Sequence, residues 1–166
     1  MADVKLSYPS ASDVTITLAS LATDTNLLTG RESTAVDNSS NKYLDYLISG
    51  KITTGTSPTT ARSIQVWAVG SWDGTSWPDV FDGTDSAETI TSSNHKNAVC
   101  KFLAEMATDN TSDRTYHFGP VSLAAAFGGV CPVKFVIFVT HNTAVNLNST
   151  AGNHQIRIQP IYETVT

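Results

Sequence analysis

Five acidic side chains in one stretch of the chain are the first candidates for chemistry. They are Asp73, Asp79, Asp82, Asp85 and Glu88, and glycine, proline and hydroxyl residues lie between them. Carboxylates on loops are typical calcium ligands, and two carboxylates that face each other across a cleft can hydrolyse a glycosidic bond. Their spacing does not match a calcium-binding loop, and Asp-Gly and Pro-Asp pairs are common in ordinary turns. We interpret them as turn residues of a solvated loop, with a glycosidase as the weaker alternative.

The four histidines indicate no catalytic or metal site. His95, His117, His141 and His154 stand singly, without the four-residue spacing that lets one helix bind zinc. The sequence also contains no nucleophile elbow and no glycine-rich phosphate-binding loop. We therefore expect a protein that is not an enzyme and that uses neither a metal nor a cofactor.

The two cysteines, Cys100 and Cys131, are too few for a disulfide-stapled scaffold and too far apart for a metal knuckle. We expect both to be small buried apolar side chains, and a disulfide between them is the less favoured alternative.

The tryptophans are candidates for binding. Trp72 and Trp77 flank the Asp73-Gly74 turn, where a loop tip can present them to a partner, whereas Trp67 lies in a predicted strand. Exposed tryptophans stack on sugars or anchor protein interfaces. The alternative is that both turn tryptophans fold back over the end of the domain. We take Trp72 and Trp77 as candidate interface residues.

The composition and net charge argue against several structural and functional classes. The chain has 166 residues, of which 15% are charged, and a formal net charge of -5. This length fits one domain, and the low charge argues against a coiled coil or a charge-rich disordered chain. A negative net charge repels nucleic-acid phosphates and anionic lipid surfaces, so we expect neither nucleic acid nor membrane as a partner. The longest apolar stretch, 130–139, is interrupted by Lys134 and is too short to cross a bilayer.

Turn signals recur about every ten residues, which is typical of short strands in a sandwich or barrel. Between them, apolar and polar residues alternate with the period of half-buried strands. The run 134–140 is rich in β-branched and aromatic residues and predicts a central strand buried on both faces. Pro160 lacks a ladder donor, which places the last strand at an edge or a bulge. The predicted strands are 14–18, 43–48 ending at Gly50, 64–68, 134–140 and 155–162.

One stretch fits two interpretations. Residues 97–108 place Val99, Phe102, Leu103 and Met106 at helical spacing, and they also place Cys100, Phe102, Ala104 and Met106 on one side of a strand. We favour the strand, with 114–118 as its hairpin partner. A short helix is predicted at 121–127, capped by Ser122 and ended by Gly128-Gly129.

These elements predict an all-β fold, an antiparallel β-sandwich of seven to nine strands, with residues 13–166 as the single domain. Residues 1–12 are predicted to be an extended N-terminal arm. Its isolated apolar residues, Val4, Leu6 and Tyr8, can add a strand to a neighbour, and a frayed terminus is the alternative. The arm has no basic cluster, apolar stretch or small-residue cleavage pattern, so we expect no secretory leader.

Several stretches resemble small virion structural proteins of tailed bacteriophages and prophages. They are RESTAVDN at 31–38, YLDY at 43–46, GKITTGTSP at 50–58, WPDVFDGTDS at 77–86, RTYHFGPVS at 114–122 and FVTHNT at 138–143. The resemblance covers most of the chain beyond residue 20. It implies a non-enzymatic particle component with a jelly-roll-like sandwich, made in the host cytoplasm and located in the virion, and it transfers no catalytic residue.

The role implied by this resemblance is capsid decoration, or cement, with a neck or tail position as an alternative. The implied partners are the major capsid protein or other virion proteins, and the chain itself as a trimer or dimer. Val4, Leu6 and Tyr8 are the expected shell contact, and the loop with Trp72 and Trp77 is the expected outward or intersubunit face. The alternative function is a carbohydrate- or receptor-binding module of a phage tail or fibre, in which the two tryptophans form a stacking platform.

Overall fold

The structure is a computed structural model and describes residues 3–165. Met1 and Ala2 of the predicted arm lie outside the described residues. Within 3–165 the elements, in chain order, are β1 (Val4–Ser7), β2 (Ser12–Asp13), β3 (Thr29–Glu32), β4 (Val36–Asp37), β5 (Asp45–Thr53), β6 (Arg62–Gly70), β7 (Ser86–Thr89), α1 (Ser93–Val99), β8 (Cys100–Thr108), β9 (Thr115–Ser122), α2 (Leu123–Ala126), β10 (Lys134–His141), a 3-10 helix (Ala151–Asn153) and β11 (Gln155–Val165).

The strands form two sheets, and every pairing between named strands is antiparallel. Sheet I has the order β1-β11-β5-β9, and β2 also pairs with β11. Sheet II has the order β7-β3-β10-β6-β8, and β4 also pairs with β10. The predicted all-β antiparallel sandwich is confirmed, but residues 3–165 contain eleven strands where seven to nine were predicted. The chain passes from one sheet to the other between β2 and β3, β4 and β5, β5 and β6, β8 and β9, β9 and β10, and β10 and β11.

The main core lies between the two sheets. Each inward face contributes alternate residues, because successive side chains of a strand point to opposite faces. The fully buried members include Ile48, Ile52 and Ile156 from sheet I and Ile64, Val66, Phe135, Ile137 and Val139 from sheet II.

β10 is buried on both faces, as predicted. Seven of its eight residues are buried, from Phe135 to His141. A second cluster covers the outer face of sheet II, where Val136 and Phe138 pack with Phe81, Ile90 and other residues. The segment 71–99 forms this outer layer, and it explains why β10 is apolar at every position from Phe135 to Val139 rather than alternating.

The ambiguous stretch contains both kinds of structure. α1 ends at Val99 and β8 follows it, so the strand interpretation is confirmed from Cys100 onward. The pairing of β8 with β6 shifts register between Val66 and Trp67, and Leu103 is the extra residue on β8. This bulge moves Phe102 to the outer face, where its ring lies 5.0 Å from that of Trp67. Phe102 and Met106 therefore do not share a face, contrary to the prediction.

The predicted hairpin between 97–108 and 114–118 is wrong. β9 pairs with β5 in sheet I, with Ile52 opposite Tyr116, whereas β8 pairs with β6 in sheet II. The intervening loop crosses between the sheets. The prediction assumed that strands adjacent in sequence pair with each other, and local patterns do not specify such crossovers.

Gly50 does not end its strand. β5 continues to Thr53, and its pairing with β9 shifts register between Ile48 and Gly50. A Cβ atom on Gly50 would lie 2.4 Å from the carbonyl oxygen of Gln155 and 2.8 Å from the Phe118 ring. Glycine is required here by the close approach of neighbouring strands, not by a turn.

The segment 14–18 is not a strand, contrary to the prediction. The Val14 amide donates to the Ile156 carbonyl of sheet I (2.8 Å), and the Thr34 amide donates to the Thr15 carbonyl (2.9 Å), between β3 and β4 of sheet II. The segment thus spans the side of the sandwich. The alternation of apolar and polar residues in this segment does reflect burial, because Val14 and Leu18 are both buried in the core.

Two local predictions are confirmed. Ser122 caps α2 by accepting a hydrogen bond from the Ala125 amide at 3.0 Å, and Gly128 follows the helix with φ of 78°. β11 as a whole is an inner strand of sheet I and not an edge strand, but Pro160 lies at a local edge. It falls between the part of β11 that pairs with β2 and the part that pairs with β1, so its missing donor interrupts no ladder on that side.

Candidate functional site

The acidic stretch is used within the fold, mostly in turns. Asp73 accepts hydrogen bonds from the Thr75 and Ser76 amides, which hold its pKa well below the usual range. The Asp82 carboxylate accepts from the Thr84 amide. Asp79 accepts from the amide and hydroxyl of Thr91, and Asp85 pairs with the Arg31 guanidinium at 2.6 Å.

These carboxylates therefore fix the outer layer on sheet II. Within residues 3–165, no group of three or more His, Cys, Asp or Glu side chains is placed to hold a metal ion.

A buried carboxylate that the sequence analysis missed anchors the same layer. Glu32 is fully buried and accepts hydrogen bonds from the Gly83 amide (2.6 Å) and the Asp82 amide (3.2 Å). Burial raises its pKa to about 7, although these two amides favour the ionised form. Glu32 follows the glycine and arginine of β3, and no local motif distinguishes it from a surface residue.

Two of the histidines stabilise the loops at one end of the sandwich. The His141 Nε2 lies 3.1 Å from the Leu21 carbonyl oxygen, and Nδ1 lies 2.9 Å from the Thr143 hydroxyl. Burial lowers the pKa of His141 to about 4. The His154 Nε2 lies 2.8 Å from the Asn148 carbonyl oxygen, and burial lowers the pKa of this histidine as well. Both imidazoles are structural hydrogen-bonding groups.

We call this end the polar end and define it by the loops 20–28, 54–61, 109–114 and 142–154. A depression of about 340 Å³ at this end is lined mainly by small polar residues, including Thr56, Asn146, Asn148 and Ser149.

The opposite end, which we call the apolar end, is formed by the loops 38–44, 71–76 and 128–133. Four large apolar side chains are exposed there: Leu44 (48%), Trp72 (75%), Val130 (74%) and Val133 (47%). A depression of about 450 Å³ lies beside Leu44, Val130 and Val133, and its walls also include Tyr43 and Pro132. This volume lies within the range of small-molecule and peptide pockets.

The walls of this depression are held by buried or partly buried polar side chains. Asn38 accepts hydrogen bonds from the Tyr43 amide (2.8 Å) and the Tyr46 hydroxyl (3.0 Å) and donates to the Tyr43 carbonyl (3.0 Å). Asp45 accepts from the Ser122 hydroxyl (2.6 Å) and the Ala124 amide (2.7 Å). The apolar surface is therefore presented by fixed loops.

The structure separates the two candidate tryptophans. Trp72 belongs to the apolar end, where it lines a second depression with Phe127 and Pro132. Trp77 packs against the second core cluster, and a Cβ atom on Gly83 would lie 3.1 Å from its ring. Trp77 thus folds back over the domain, which was the alternative considered for both residues, whereas Trp72 is exposed.

The N-terminal candidates lie on an edge strand. β1 pairs with residues 162–165 of β11, beyond Ile161, which is opposite Asp45 and is the last residue of β11 paired with β5. Val4 (62%), Leu6 (56%) and Tyr8 (54%) are exposed. The Tyr43 and Tyr162 rings lie 5.9 Å apart, so this two-stranded extension adjoins the apolar end. Four of the five candidate interface residues, all except Trp77, are thus exposed, three of them at or beside this edge strand and Trp72 in the loop 71–76.

Leu44, Val130 and Val133 were not among the candidates. The last two belong to the apolar run 130–139, which continues into the buried strand β10. Both cysteines are free thiols: Cys100 is buried and Cys131 is partly buried beside Asp45. Burial raises the pKa of each thiol to about 12.

No family model matches the chain, and no curated protein is significantly similar to it. Across residues 3–165, no helix is both long enough and apolar enough to span a membrane.

Proposed function

We propose that this chain is a non-enzymatic structural component of a tailed-phage virion, a decoration protein that stabilises the capsid by binding across joints between shell subunits. The observation that carries the proposal is the apolar end, where Leu44, Trp72, Val130 and Val133 are exposed on fixed loops. Contiguous exposed apolar residues of this kind mark protein-binding surfaces. We assign the shell contact to this end.

Burial of the exposed side chains at the apolar end would provide binding energy at a small entropic cost. Covering these exposed side chains returns about 25 cal/mol per Å² of apolar surface, and the loops are already ordered, so little conformational entropy is lost on binding. Aromatic side chains such as Trp72 are enriched among residues that dominate interface energies.

The strand order supports the jelly-roll part of the proposal. Without β1, β4 and β7, the sheets read β2-β11-β5-β9 and β3-β10-β6-β8, so that early and late strands of the chain alternate across both sheets. This interleaving is expected of two Greek keys wound into a double-sheet jelly roll. Viral shell domains and lectins both use that architecture.

The mechanism is mechanical and follows from linkage. A protein that binds only the assembled joint stabilises it, and free protein at a hundred times its dissociation constant contributes about 2.7 kcal/mol per site. Many copies on a symmetric shell multiply this effect.

Cosedimentation with emptied shells of the parent phage, stripped of this protein, tests the proposal. We expect saturable binding of the full chain and at least a tenfold weaker binding of the double variant Trp72→Ala, Val130→Ser. Phe102→Ala is the control, because Phe102 is also an exposed large apolar residue (49%) but lies on the outer face of sheet II rather than in the loops of the apolar end. Absence of cosedimentation, or equal weakening by the control, would overturn the proposal.

The second candidate function is a carbohydrate-binding module of a tail or fibre, and the exposure of Trp72 is the observation that favours it. A glycan array separates the two functions. Saturable glycan binding that is lost in Trp72→Ala but kept in Val130→Ser would support the carbohydrate module, because stacking requires the indole alone.

A further inference from the structure

The outer edge of β1 carries backbone groups available for pairing. In an antiparallel ladder, the N–H and C=O of one residue point to the same side, and successive residues alternate. The Ile156 carbonyl accepts from Val14 on the β2 side, so the even-numbered residues of β11 face β1 and β2. Their partners Lys5 and Ser7 therefore face β11, and the backbone groups of Val4 and Leu6 point outward.

This edge is also apolar and weakly supported. β1 and residues 162–165 of β11 form a two-stranded ribbon, because the pairing of β11 with β5 ends at Ile161. A two-stranded ribbon on its own is only marginally stable. Val4 and Leu6 share the outer face with Val165, which is opposite Val4, and all three side chains are more than half exposed. Natural sheet edges are usually protected by charge, proline or cover, and this one has a single lysine.

We propose that a second copy of the chain docks on this edge, with β1 pairing antiparallel to β1 of the partner about a two-fold axis at Leu6. This register places Leu6 opposite its own copy, Val4 opposite Tyr8, and Lys5 opposite Ser7. The apolar side chains meet on one face and no like charges oppose each other. The neighbouring register, centred on Lys5, would set two lysines directly opposite, which destabilises a strand pair.

The resulting dimer would have one continuous sheet through both copies, in the order β9-β5-β11-β1 followed by the partner's β1-β11-β5-β9. Such an interface is isologous, as expected for a closed dimer. It buries Val4, Leu6 and Tyr8 and leaves the exposed side chains of the loops 71–76 and 128–133 free. The inference is independent of the proposed function, since the dimer forms without a shell.

Sedimentation equilibrium of the full chain over a range of concentrations tests the association. We expect a monomer–dimer equilibrium and at least a tenfold higher dissociation constant for Leu6→Lys, which brings two positive charges together at the axis. Val130→Lys is the control, because Val130 is at least as exposed but lies on the apolar end, and it should leave the dissociation constant unchanged. A chain that is monomeric at all concentrations, or a dimer indifferent to Leu6→Lys, would overturn the proposal.

Disulfide trapping tests the register. In a Cys131→Ser background, oxidation of Leu6→Cys with diamide should produce a covalent dimer, because opposed residues of a hydrogen-bonded pair have Cα atoms about 5.5 Å apart, within disulfide range. Lys5→Cys is the control, since this residue opposes Ser7 and not itself. Equal or faster trapping of Lys5→Cys would contradict the two-fold axis at Leu6.

Discussion

The loops at the two ends of the sandwich are held by similar hydrogen bonds, but they expose different kinds of side chain. At the polar end, Asp24 accepts hydrogen bonds from the amides of Asn26, Leu28 and Thr29, and His141 and His154 bind loop carbonyls. At the apolar end, Asn38 and Asp45 fix the loops in the same way. Both ends have ordered backbones, so loop order does not distinguish them. The difference is that one end exposes Trp72, Val130 and their neighbours, and this exposure is the reason for the proposal that the binding surface lies there.

The largest expected effect comes from removing the polar anchor beneath the apolar surface. Asn38→Ala deletes three hydrogen bonds and leaves the buried Tyr46 hydroxyl without its acceptor, so we expect the free energy of unfolding to fall by about 4 kcal/mol. Urea denaturation measures this change. The control Asn146→Ala, at an exposed position of the polar end, should change the stability by less than about 0.5 kcal/mol. Equal effects would mean that the loops of the apolar end are not held from within.

Two buried titratable groups on neighbouring strands of sheet II, Glu32 and His141, should respond to pH with opposite signs. The folded-state pKa of Glu32 is raised from 4.5 to about 7, so its stabilising contribution is complete below pH 4.5 and is lost as the pH rises through 7. The folded-state pKa of His141 is lowered from 6.5 to about 4, so its contribution is present above pH 6.5 and is lost as the pH falls through 4. Each contribution amounts to about 3 kcal/mol.

Single variants should reveal the two opposed contributions, which largely cancel in the natural chain between pH 4.5 and 6.5. Glu32→Gln should lose stability steadily on acidification, and His141→Asn should gain it. Chemical denaturation at pH 4.5, 6 and 8 measures both slopes. Parallel pH profiles for the two variants would contradict the assignment of the opposed contributions to these groups.

The smallest expected effect is the difference in the free energy of unfolding between the variants Trp77→Ala and Trp72→Ala. Trp77→Ala removes an indole that packs against the second core cluster, and we expect a loss of about 2 kcal/mol. Trp72→Ala removes an exposed side chain, and the stability should change by less than about 0.5 kcal/mol while partner binding is lost. Thermal unfolding of both variants makes the comparison. A larger loss of stability for Trp72→Ala would place that residue in the fold rather than at the surface.

The sequence predicted those parts of the fold that depend on local patterns. The uninterrupted apolar run of β10, the Ser122 cap and Pro160 each act through neighbours in the chain or through burial, and each prediction is confirmed. Strand partners depend on distant residues. The pairing of β9 with β5, and the role of Gly50 beneath Phe118, are set by crossovers and bulges that no local period records.

The candidate surface was predicted only in part for a similar reason. Val4, Leu6 and Trp72 stand apart from apolar runs and were identified as isolated exposed residues. Val130 and Val133 were not identified, because they directly precede the apolar strand β10 and nothing in the local pattern distinguishes exposed valines there from buried ones. Glu32 was missed because a carboxylate is rarely buried, and the amides that stabilise it come from a loop fifty residues away in sequence.

The double covering of β10 has a consequence for hydrogen exchange. Detaching the outer layer 71–99 would uncover Val136 and Phe138 but leave Phe135 and Ile137 enclosed between the sheets. Because β10 also has ladder partners on both sides, its amide protons should be the last in the molecule to be replaced by deuterium, and their rates should report global opening directly.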